Sequence, residues 1–364
     1  MKWICSECLC LNNFFLIKIF PECILLTLTM VCCKLSVTGY LFEIKGDGMA
    51  TIYEVAKHAG VSVATVSRVI NKKGYVKEST RQKVETSIEK LEYTPNSIAR
   101  KLFNKTTNTI GFLIPDIGNP FFPELYKQLE KYGEKVGCNI LLFNSNYDEK
   151  REEKFLDLMH SKIIDAAIIV SDSMTAEQLD GLSFPIITLD RRISEKISSV
   201  TVDNYGGARQ AVSYLASVGS QSIAHITGPR ENFTALERFR GYQDEIFERG
   251  LKSMVTVGDY TIQEAVNATE ELFTLYPKVD GIFASNDLIA LGVVKTLTKK
   301  GVDLNKLNLI GFDGIRLGTG ISPEISTLVQ PIEKIAKSAI NLLLNNGEEI
   351  QHIMYEVELL RRDT

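Results

Sequence analysis

The sequence predicts two fold classes in one chain: an all-α helix-turn-helix module and, after it, a larger α/β domain. Two observations predict this division. Short helical patterns with capping residues follow Met49, and short apolar runs alternate with amphipathic stretches after Thr109. The chain is long enough for both, because its 364 residues exceed the roughly 250–300 at which single cores stop growing.

Three short helices are predicted between residues 51 and 91. The first begins with the capping-box pattern of Thr51 and Glu54, and Gly60 provides a tight corner after it. The second begins at Ser62, and the third begins at Ser79, where a further capping-box pattern occurs. Apolar residues recur at helical spacing on one face of each helix, which predicts a small shared core. Residues 95–108 follow as a linker that forms a helix only when it is supported.

Beyond Thr109 the pattern is strand, helix, strand, helix. The apolar runs are four to six residues long: Ile110–Ile114, Ile140–Phe143, Ala166–Val170, Ile186–Leu189, Ile223–Ile226, Gly281–Ala284 and Leu309–Phe312. The amphipathic stretches are Phe122–Val136, Lys150–Ser161, Tyr205–Val218, Leu236–Arg249, Thr261–Leu275, Leu288–Lys300 and Glu333–Asn345. Such alternation indicates parallel sheets covered on both faces, as one barrel or as two doubly wound lobes.

Polar residues follow several of these apolar runs. Asn119, Asp190, Arg191, Asn286 and Asp313 all come shortly after a predicted strand. In open parallel sheets, ligands bind beyond the carboxyl ends of the strands. We therefore expect a binding site at these positions.

Charge divides the chain in the same way. Residues 49–108 contain eleven Lys and Arg against five Glu, a net charge of +6. Residues 1–48 carry four charges of each sign, so the net charge of −4 leaves −10 for residues 109–364. A basic module on an acidic body favours a polyanionic partner for the module, with a solvated basic face as the alternative.

Residues 1–48 differ from the rest of the chain. Six of the seven cysteines lie there, without helical or strand period: Cys5, Cys8, Cys10, Cys23, Cys32 and Cys33. Neither a second CxxC pair nor a suitably spaced His accompanies Cys5 and Cys8, and the apolar run 23–33 is shorter than the roughly 18–20 residues of a membrane span. The codons of residues 45–47 can spell a ribosome-binding site. We therefore interpret 1–48 as a non-native leader before a true start at Met49, or as a disordered segment.

An enzyme and a secreted sugar receptor are the competing classes. The sequence contains no GxxxxGKS/T loop, no GxGxxG after a strand, no GxSxG and no HExxH, and its four histidines are scattered. We accordingly expect no catalytic residues, no cofactor and no metal. The remaining cysteine, Cys138, suits a reducing cytoplasm.

Residues 54–71 resemble, residue for residue, the DNA-binding headpiece of the LacI family of bacterial repressors. In helix-turn-helix motifs the start of the second helix faces base edges in the major groove. The candidates for these base contacts are Ser62, Val63, Ala64, Thr65 and Arg68. The candidates for phosphate anchoring are Thr51, Ser67, Asn71, Tyr75 and Lys77.

Residues 95–102 resemble the hinge helix of that family. The resemblance implies that two such helices pair in the minor groove, where Asn96 contacts DNA and Leu102 wedges between base steps. It also implies a homodimer on a pseudo-palindromic operator, because two-fold operators match two-fold proteins.

The second domain resembles the periplasmic sugar-binding fold that the family shares, which implies two lobes that close on a ligand. The resemblance assigns ligand contacts to Asn119, Phe121, Phe122, Asp190, Arg191, Arg238, Tyr260, Asn286, Asp313 and Gln330. Two acids and two arginines keep the net charge of such a pocket near zero, which suits an uncharged sugar. Ribose is the expected ligand. Fructose is the alternative ligand, and a global carbon regulator with a phosphoprotein corepressor is the alternative function.

These expectations divide the chain into four parts: 1–48, the headpiece 49–94, the hinge 95–108 and the effector domain 109–364. The first lobe is expected to contain about 109–204 and 331–353. The second lobe is expected to contain about 205–330 and 354–364.

Overall fold

The computed structural model describes residues 10–11, 14–15, 50–71, 74–93, 106–345 and 349–364. The chain divides into two compact units, Met1–Pro95 and Asn96–Thr364, and each is described by itself. In the first unit Cys10–Leu11 (β1) pairs antiparallel with Phe14–Phe15 (β2), where the sequence showed no strand pattern.

Three helices follow in the first unit: Ile52–Ala59 (α1), Val63–Ile70 (α2) and Glu78–Lys90 (α3). The capping box predicted for α1 is confirmed, because Glu54 N donates to Thr51 Oγ1 and Thr51 N donates to Glu54 Oε2. Gly60 ends α1 in the left-handed conformation, with φ of 64°. The capping box predicted at Ser79 is wrong: α3 begins one residue earlier, and no side-chain hydrogen bond caps it.

The three helices share one small core. Val55 of α1, Val66 of α2 and Val84 of α3 are fully buried against one another. A polar contact adds to this packing, because Ser87 Oγ donates to the Lys83 carbonyl and therefore accepts from His58 Nδ1 at 2.9 Å. The core fixes α2 by its buried face and leaves its other face exposed.

The described part of the second unit contains two six-stranded sheets. The sheet of lobe 1 consists of Thr109–Ile114 (β3), Asn139–Asn144 (β4), Ala166–Ile169 (β5), Ile186–Leu189 (β6), Ser199–Val202 (β7) and His352–Tyr355 (β13). The sheet of lobe 2 consists of Ile223–Thr227 (β8), Val255–Val257 (β9), Gly281–Ala284 (β10), Asn308–Asp313 (β11), Ser326–Val329 (β12) and Glu358–Leu360 (β14).

Both sheets have the same strand order and differ in the direction of one edge strand. The strand order is β13-β7-β6-β5-β3-β4 in lobe 1 and β14-β12-β11-β10-β8-β9 in lobe 2, and every pair is parallel except β12 with β14. The chain passes between the lobes after β7, after β12 and after β13. The strand order reverses beside β3 and beside β8, and ligands bind at such switch points in doubly wound sheets.

Helices cover the sheets, as the apolar strands require. They are Phe121–Lys135 (α4), Glu149–His160 (α5), Ala176–Asp180 (α6), Asn204–Ser217 (α7), Phe233–Glu248 (α8), Ile262–Leu275 (α9), Asp287–Lys299 (α10) and Ile332–Leu344 (α11), with short 3₁₀ turns at Leu304–Lys306 and Arg316–Thr319. The seven predicted strands and seven predicted helices of this domain are all present, within a few residues of the predicted bounds.

Two doubly wound lobes, rather than one barrel, are therefore the observed arrangement. The sequence did not predict the strands β7, β9, β12, β13 and β14 or the helix α6. Within the described ranges, no helix is long and apolar enough to cross a membrane.

Candidate functional site

The first candidate site is the exposed face of α2. Ser62 caps this helix, and its Oγ accepts from Thr65 N at 3.2 Å. Ala64 and Arg68 are exposed and lie four residues apart, so they share a face, whereas Val66 and Val69 are buried in the core. The helix therefore presents Ala64 and Arg68 outward, with Val63 and Thr65 partly exposed beside them.

The predicted phosphate-binding side chains are also accessible. Tyr75 is 91% exposed, and Thr51, Asn71 and Lys77 are exposed as well. Ser67 is partly buried and accepts a hydrogen bond of 3.2 Å from Asn71 Nδ2, so these two side chains are oriented together. The predictions for Asn96 and Leu102 lie outside the described residues.

The second candidate site is a cleft between the two lobes of the second unit. The cleft encloses about 30 Å³ of free space, and eighteen residues line it. Loops at the carboxyl ends of strands from both sheets form its walls. All ten residues predicted from the sequence line it: Asn119, Phe121, Phe122, Asp190, Arg191, Arg238, Tyr260, Asn286, Asp313 and Gln330.

Arg238 organises the lobe 2 side of the cleft. It is 3% exposed, and its guanidinium donates to Asn204 Oδ1 at 2.9 Å and to the Ser285 carbonyl at 2.6 Å. Its third nitrogen donates to Asp313 Oδ1 at 3.3 Å. The guanidinium also stacks on the Phe312 ring, 3.7 Å from the centroid. Each of the three guanidinium nitrogens of Arg238 thus has a protein partner, and one of these partners is Asp313.

Asp313 is held in an unusual backbone conformation. Its φ is 102°, which non-glycine residues rarely adopt, and such strain concentrates at ligand sites. Gln330 Nε2 donates to its Oδ1 at 2.8 Å, in addition to the contact with Arg238. Burial raises the pKa of Asp313, because desolvation outweighs the attraction of Arg238.

Lobe 1 contributes two aromatic rings and a second acid. The rings of Phe121 and Phe122 are buried and lie edge to face with centroids 5.4 Å apart, at the start of α4. Asn119 precedes them, and its Oδ1 accepts from Phe121 N at 3.1 Å. Asp190 follows β6 with φ of 65°, and it accepts no hydrogen bond from the described residues. Burial raises the pKa of Asp190 to about 7, against the opposing effect of Arg238.

Arg191 supports a loop as well as lining the cleft. Its Nε donates to the Ser171 carbonyl at 2.7 Å, and its Nη2 donates to the carbonyls of Asp172 at 2.9 Å and Met174 at 2.7 Å. Only Nη1 makes no hydrogen bond to the described residues. Of the three guanidinium nitrogens of Arg191, Nη1 therefore remains for the ligand contact that the sequence predicts. Arg191 also acts as a positioning residue for the loop after β5.

Tyr260 packs tightly beneath the cleft. A methyl group on Gly228 would lie 2.5 Å from Tyr260 Cζ, so glycine is needed there. The Tyr260 hydroxyl donates to Asn232 Oδ1 at 3.2 Å. Asn232 in turn caps α8 through Ala235 N at 2.8 Å. Asn286 has the same capping role at α10, through Ile289 N at 2.9 Å.

Hydrogen bonds connect the lobes at two places. Asp172 of lobe 1 accepts from Asn232 Nδ2 at 2.8 Å and from Phe233 N at 3.2 Å in lobe 2. Glu124 Oε1 of lobe 1 accepts from Arg316 N of lobe 2 at 2.9 Å. The described structure is accordingly a closed arrangement of the two lobes.

Sequence reasoning missed eight residues that line the cleft: Pro115, Tyr147, Val170, Ser171, Asp172, Asn232, Phe233 and Thr234. A signal was present for most of them. The position along the chain was that signal, because five of them lie within three residues of the carboxyl end of β3, β4 or β5, and such ends face the ligand: Pro115, Tyr147, Val170, Ser171 and Asp172. Among the described residues, no group of three or more His, Cys, Asp or Glu could hold a metal ion.

These features define a class of protein. A helix-turn-helix unit presents an exposed helix face, and a separate two-lobed unit contains a cleft lined by polar, charged and aromatic residues. That combination is the organisation of a DNA-binding regulator controlled by a small ligand.

Comparison with known families agrees with this class. The "Bacterial regulatory proteins, lacI family" match residues 51–96, and the "Periplasmic binding proteins and sugar binding domain of LacI family" match residues 107–316. The chain belongs to the LacI family of bacterial regulatory proteins. It is a DNA-binding transcriptional repressor with a sugar-binding domain, and not an enzyme.

Individual relatives cover most of the chain. The ribose operon repressor of Halalkalibacterium halodurans is 39% identical over 85% of this chain and 94% of its own length. Catabolite control protein A of Priestia megaterium is 37% identical over 80% of this chain and 91% of its own length.

Two solved structures are similar as well. The Lac repressor dimer bound to operator and an anti-inducer matches with a TM-score of 0.78 and 22% identity, covering 87% of this chain and 99% of that one; this is a likeness of fold. A LacI-family regulator from Enterococcus faecium with bound ribose matches with a TM-score of 0.64 and 25% identity, covering 70% of this chain and 97% of that one.

Proposed function

We propose that the protein represses a sugar-utilisation operon and that ribose, bound between the lobes, sets its affinity for operator DNA. The observation that carries this proposal is the cleft, which brings two phenylalanine rings together with Asp190, Asp313 and Arg191. The hydroxyls of a pentose donate to carboxylates and accept from a guanidinium, while its C–H faces pack on aromatic rings.

Two relatives support ribose. One is named a ribose operon repressor, and the Enterococcus faecium regulator was solved with bound ribose. The matches cover 85% and 70% of this chain, respectively, so the similarity extends over most of the sequence.

The DNA partner is an operator of pseudo-palindromic sequence, bound by a homodimer. Ser62, Val63, Ala64, Thr65 and Arg68 read bases in the major groove. Thr51, Ser67, Asn71, Tyr75 and Lys77 contact phosphates, while Asn96 and Leu102 of the segment 95–108 act in the minor groove. Ligand binding changes the equilibrium between open and closed lobes and, through it, operator affinity.

Two alternatives keep the same fold and the same DNA-binding role. Fructose is the alternative ligand, because a ketohexose offers similar hydroxyls and ring faces. Control by a phosphoprotein corepressor is the alternative mechanism, and the relative named catabolite control protein A favours it.

Calorimetric titration of the full chain tests the proposal, with ribose first and fructose and ribose 5-phosphate as comparisons. Binding of ribose that changes retention of operator DNA in a gel-shift assay supports it. Binding of fructose alone supports the alternative ligand. If no sugar binds while a phosphorylated carrier protein increases operator retention, the ribose proposal is overturned.

A further inference from the structure

Asp165 anchors the residues that follow the segment 94–105, which connects the helix-turn-helix unit to lobe 1 along the chain. Thr107 N donates to both carboxylate oxygens of Asp165, to Oδ1 at 3.0 Å and to Oδ2 at 2.7 Å. Thr109 N donates to Oδ2 at 3.4 Å. Because hydrogen bonds to an ionised acceptor are stronger than neutral ones, this carboxylate fixes the backbone at the start of β3 and just before it.

The same residues are held at two further points. Thr107 Oγ1 donates to the Ile163 carbonyl at 3.0 Å. The Asn108 carbonyl accepts from Asn139 N at 2.8 Å. Asn108 has a φ of 50°, in the left-handed region that asparagine tolerates better than most residues. Residues 107–109, here named the linker root, are thus fixed by the loop before β5 and by the start of β4.

The linker root lies at the edge of the lobe 1 sheet opposite the cleft. The parallel strands β3, β4 and β5 begin at this edge, whereas the cleft is formed at their carboxyl ends. The helices α4 and α5 begin at the cleft, because Phe121 and Phe122 line it at the start of α4 and Tyr147 lines it just before α5. At 1.5 Å per residue, their 15 and 12 residues span about 22 and 18 Å. Both helices therefore run from the cleft to the loops that hold the linker root.

A packed core joins the two edges of the sheet. Phe155 and Met159 of α5 are fully buried against Leu113 of β3 and against Ile164, the neighbour of Asp165. Protein interiors are packed closely enough to transmit a displacement instead of absorbing it. A movement of lobe 1 around a ligand accordingly carries the linker root with it.

We propose that Asp165 is a positioning residue for DNA binding, which fixes the linker root to lobe 1 and thereby links operator affinity to the movement of this lobe. The inference rests on the proposed function, in which a homodimer binds both halves of an operator. A segment that is already placed binds more tightly than one that must be ordered on binding. Because the two DNA-binding units must reach two half-sites at once, the anchor acts on binding to the whole operator and not to one half.

The anchor can be removed without removing the sheet. Asp165 N donates to the Thr109 carbonyl at 2.8 Å, and neither this bond nor the pairing of β3 with β5 involves the carboxylate. Asp165→Ala therefore releases the linker root. Asp165→Asn keeps one oxygen, which can accept from Thr107 N and Thr109 N as Oδ2 does now. Asp157→Ala, at an exposed position of α5, removes the same charge and is the matched control, because loss of a negative charge by itself favours binding to DNA.

The test uses the full chain and two duplexes. One is the operator that the wild type selects from a random-sequence pool, and the other contains one half of the selected sequence. Fluorescence anisotropy at one salt concentration measures the affinity of the wild type, Asp165→Ala, Asp165→Asn and Asp157→Ala for both duplexes. Calorimetry with ribose and with fructose measures the sugar affinity without DNA, and thermal unfolding shows whether each variant is folded.

Asp165→Ala is expected to bind the operator at least about tenfold more weakly and the half-site with unchanged affinity, because the released residues must be ordered only when both halves are bound together. Its affinity for sugar stays that of the wild type, since Asp165 does not line the cleft. Asp165→Asn and Asp157→Ala retain most of the operator affinity. An equal loss on both duplexes, or wild-type affinity of Asp165→Ala for the operator, overturns the inference.

The effect of sugar on operator affinity provides a second readout. Coupled sites typically change one another's affinity about 5–150-fold, and Asp165→Ala is expected to reduce the factor measured for the wild type at least about threefold. An unreduced factor in this variant overturns the inference. If neither sugar changes operator affinity in the wild type, the ribose proposal fails, while the comparison of operator with half-site still decides the role of Asp165. A wild type that selects no duplex overturns both the proposed function and the inference.

Discussion

Asp172 Oδ2 of lobe 1 accepts a hydrogen bond of 2.8 Å from Asn232 Nδ2 of lobe 2, which joins the lobes across the cleft. Both partners also accept hydrogen bonds from other residues that line the cleft. Arg191 donates to the Asp172 carbonyl at 2.9 Å, and the Tyr260 hydroxyl donates to Asn232 Oδ1 at 3.2 Å. A ligand that contacts Arg191 and Tyr260 therefore acts on both ends of this connection.

Asp172→Ala is expected to weaken sugar binding about tenfold, because it removes both hydrogen bonds to lobe 2 and thereby favours the open lobes. Calorimetry measures the affinity, and small-angle scattering measures the opening as a larger radius of gyration. Asp157→Ala removes an exposed aspartate of α5 and serves as the control. Unchanged affinity and scattering would show that the connection does not govern closure.

Gly228→Ala is expected to lower the free energy of unfolding by about 1–3 kcal/mol, because overpacking against the Tyr260 ring forces a shift. Sugar affinity falls with it, since Tyr260 lines the cleft. Gly181→Ala is a matched control, because a methyl group there meets nothing within 4 Å. Chemical denaturation and calorimetry on both variants check this, and equal effects of the two substitutions would contradict it.

Sugar affinity is expected to rise with pH through neutrality. Burial raises the pKa of Asp190 to about 7, so the carboxylate, which we propose accepts ligand hydroxyls, becomes the main form only above that pH. If only the ionised form binds, the apparent Kd is about tenfold larger at pH 6 than at pH 8. Asp190→Asn should bind more weakly and lose this dependence. A pH-independent Kd in the wild type would refute the role of Asp190.

The free energy of unfolding, in contrast to sugar affinity, is expected to fall as the pH rises. Burial raises the pKa of Asp287 to about 8, whereas an unfolded aspartate titrates near 3.9. Between about pH 4 and 8 the folded state holds a proton that the unfolded state lacks, so the free energy of unfolding falls as pH rises, by at most about 1.4 kcal/mol per pH unit.

Asp287→Asn should flatten this slope. Asparagine can still accept from Ile315 N and can donate to Thr327 Oγ1, which are the present partners at 2.8 and 2.6 Å. Urea denaturation of wild type and variant at pH 5, 6.5 and 8 gives the comparison, in which the contributions of the titratable groups that both proteins share cancel. Parallel slopes for the two proteins would mean that Asp287 is ionised in the fold.

Arg68→Ala is expected to weaken binding to the operator by about 1–3 kcal/mol more than binding to random DNA, because its guanidinium can form two hydrogen bonds to one guanine. Lys77→Ala is the comparison, since a lost phosphate contact weakens both kinds of DNA alike. Fluorescence anisotropy at one fixed salt concentration measures both. An equal loss on both DNAs for Arg68→Ala would exclude base reading by this residue.

The sequence by itself determined the helix-turn-helix unit, the alternation of strands and helices, and ten of the eighteen residues that line the cleft. The helices could be predicted from local sequence alone. The Thr51–Glu54 capping box and the apolar spacing both depend on residues that are three or four positions apart. The ten residues followed from resemblance and from the rule that strand ends face a ligand.

Only the tertiary structure decided how the lobes are assembled and connected. The strands β13 and β14 lie next to one another in sequence, yet they join different sheets, because each completes an edge that distant strands provide. Arg191 shows the same limit at the level of one residue. Its spacing suggested a ligand contact, but the carbonyls that take its Nε and Nη2 groups come from a loop about 20 residues earlier. Such contacts depend on chain segments that meet only after folding, so no local pattern encodes them.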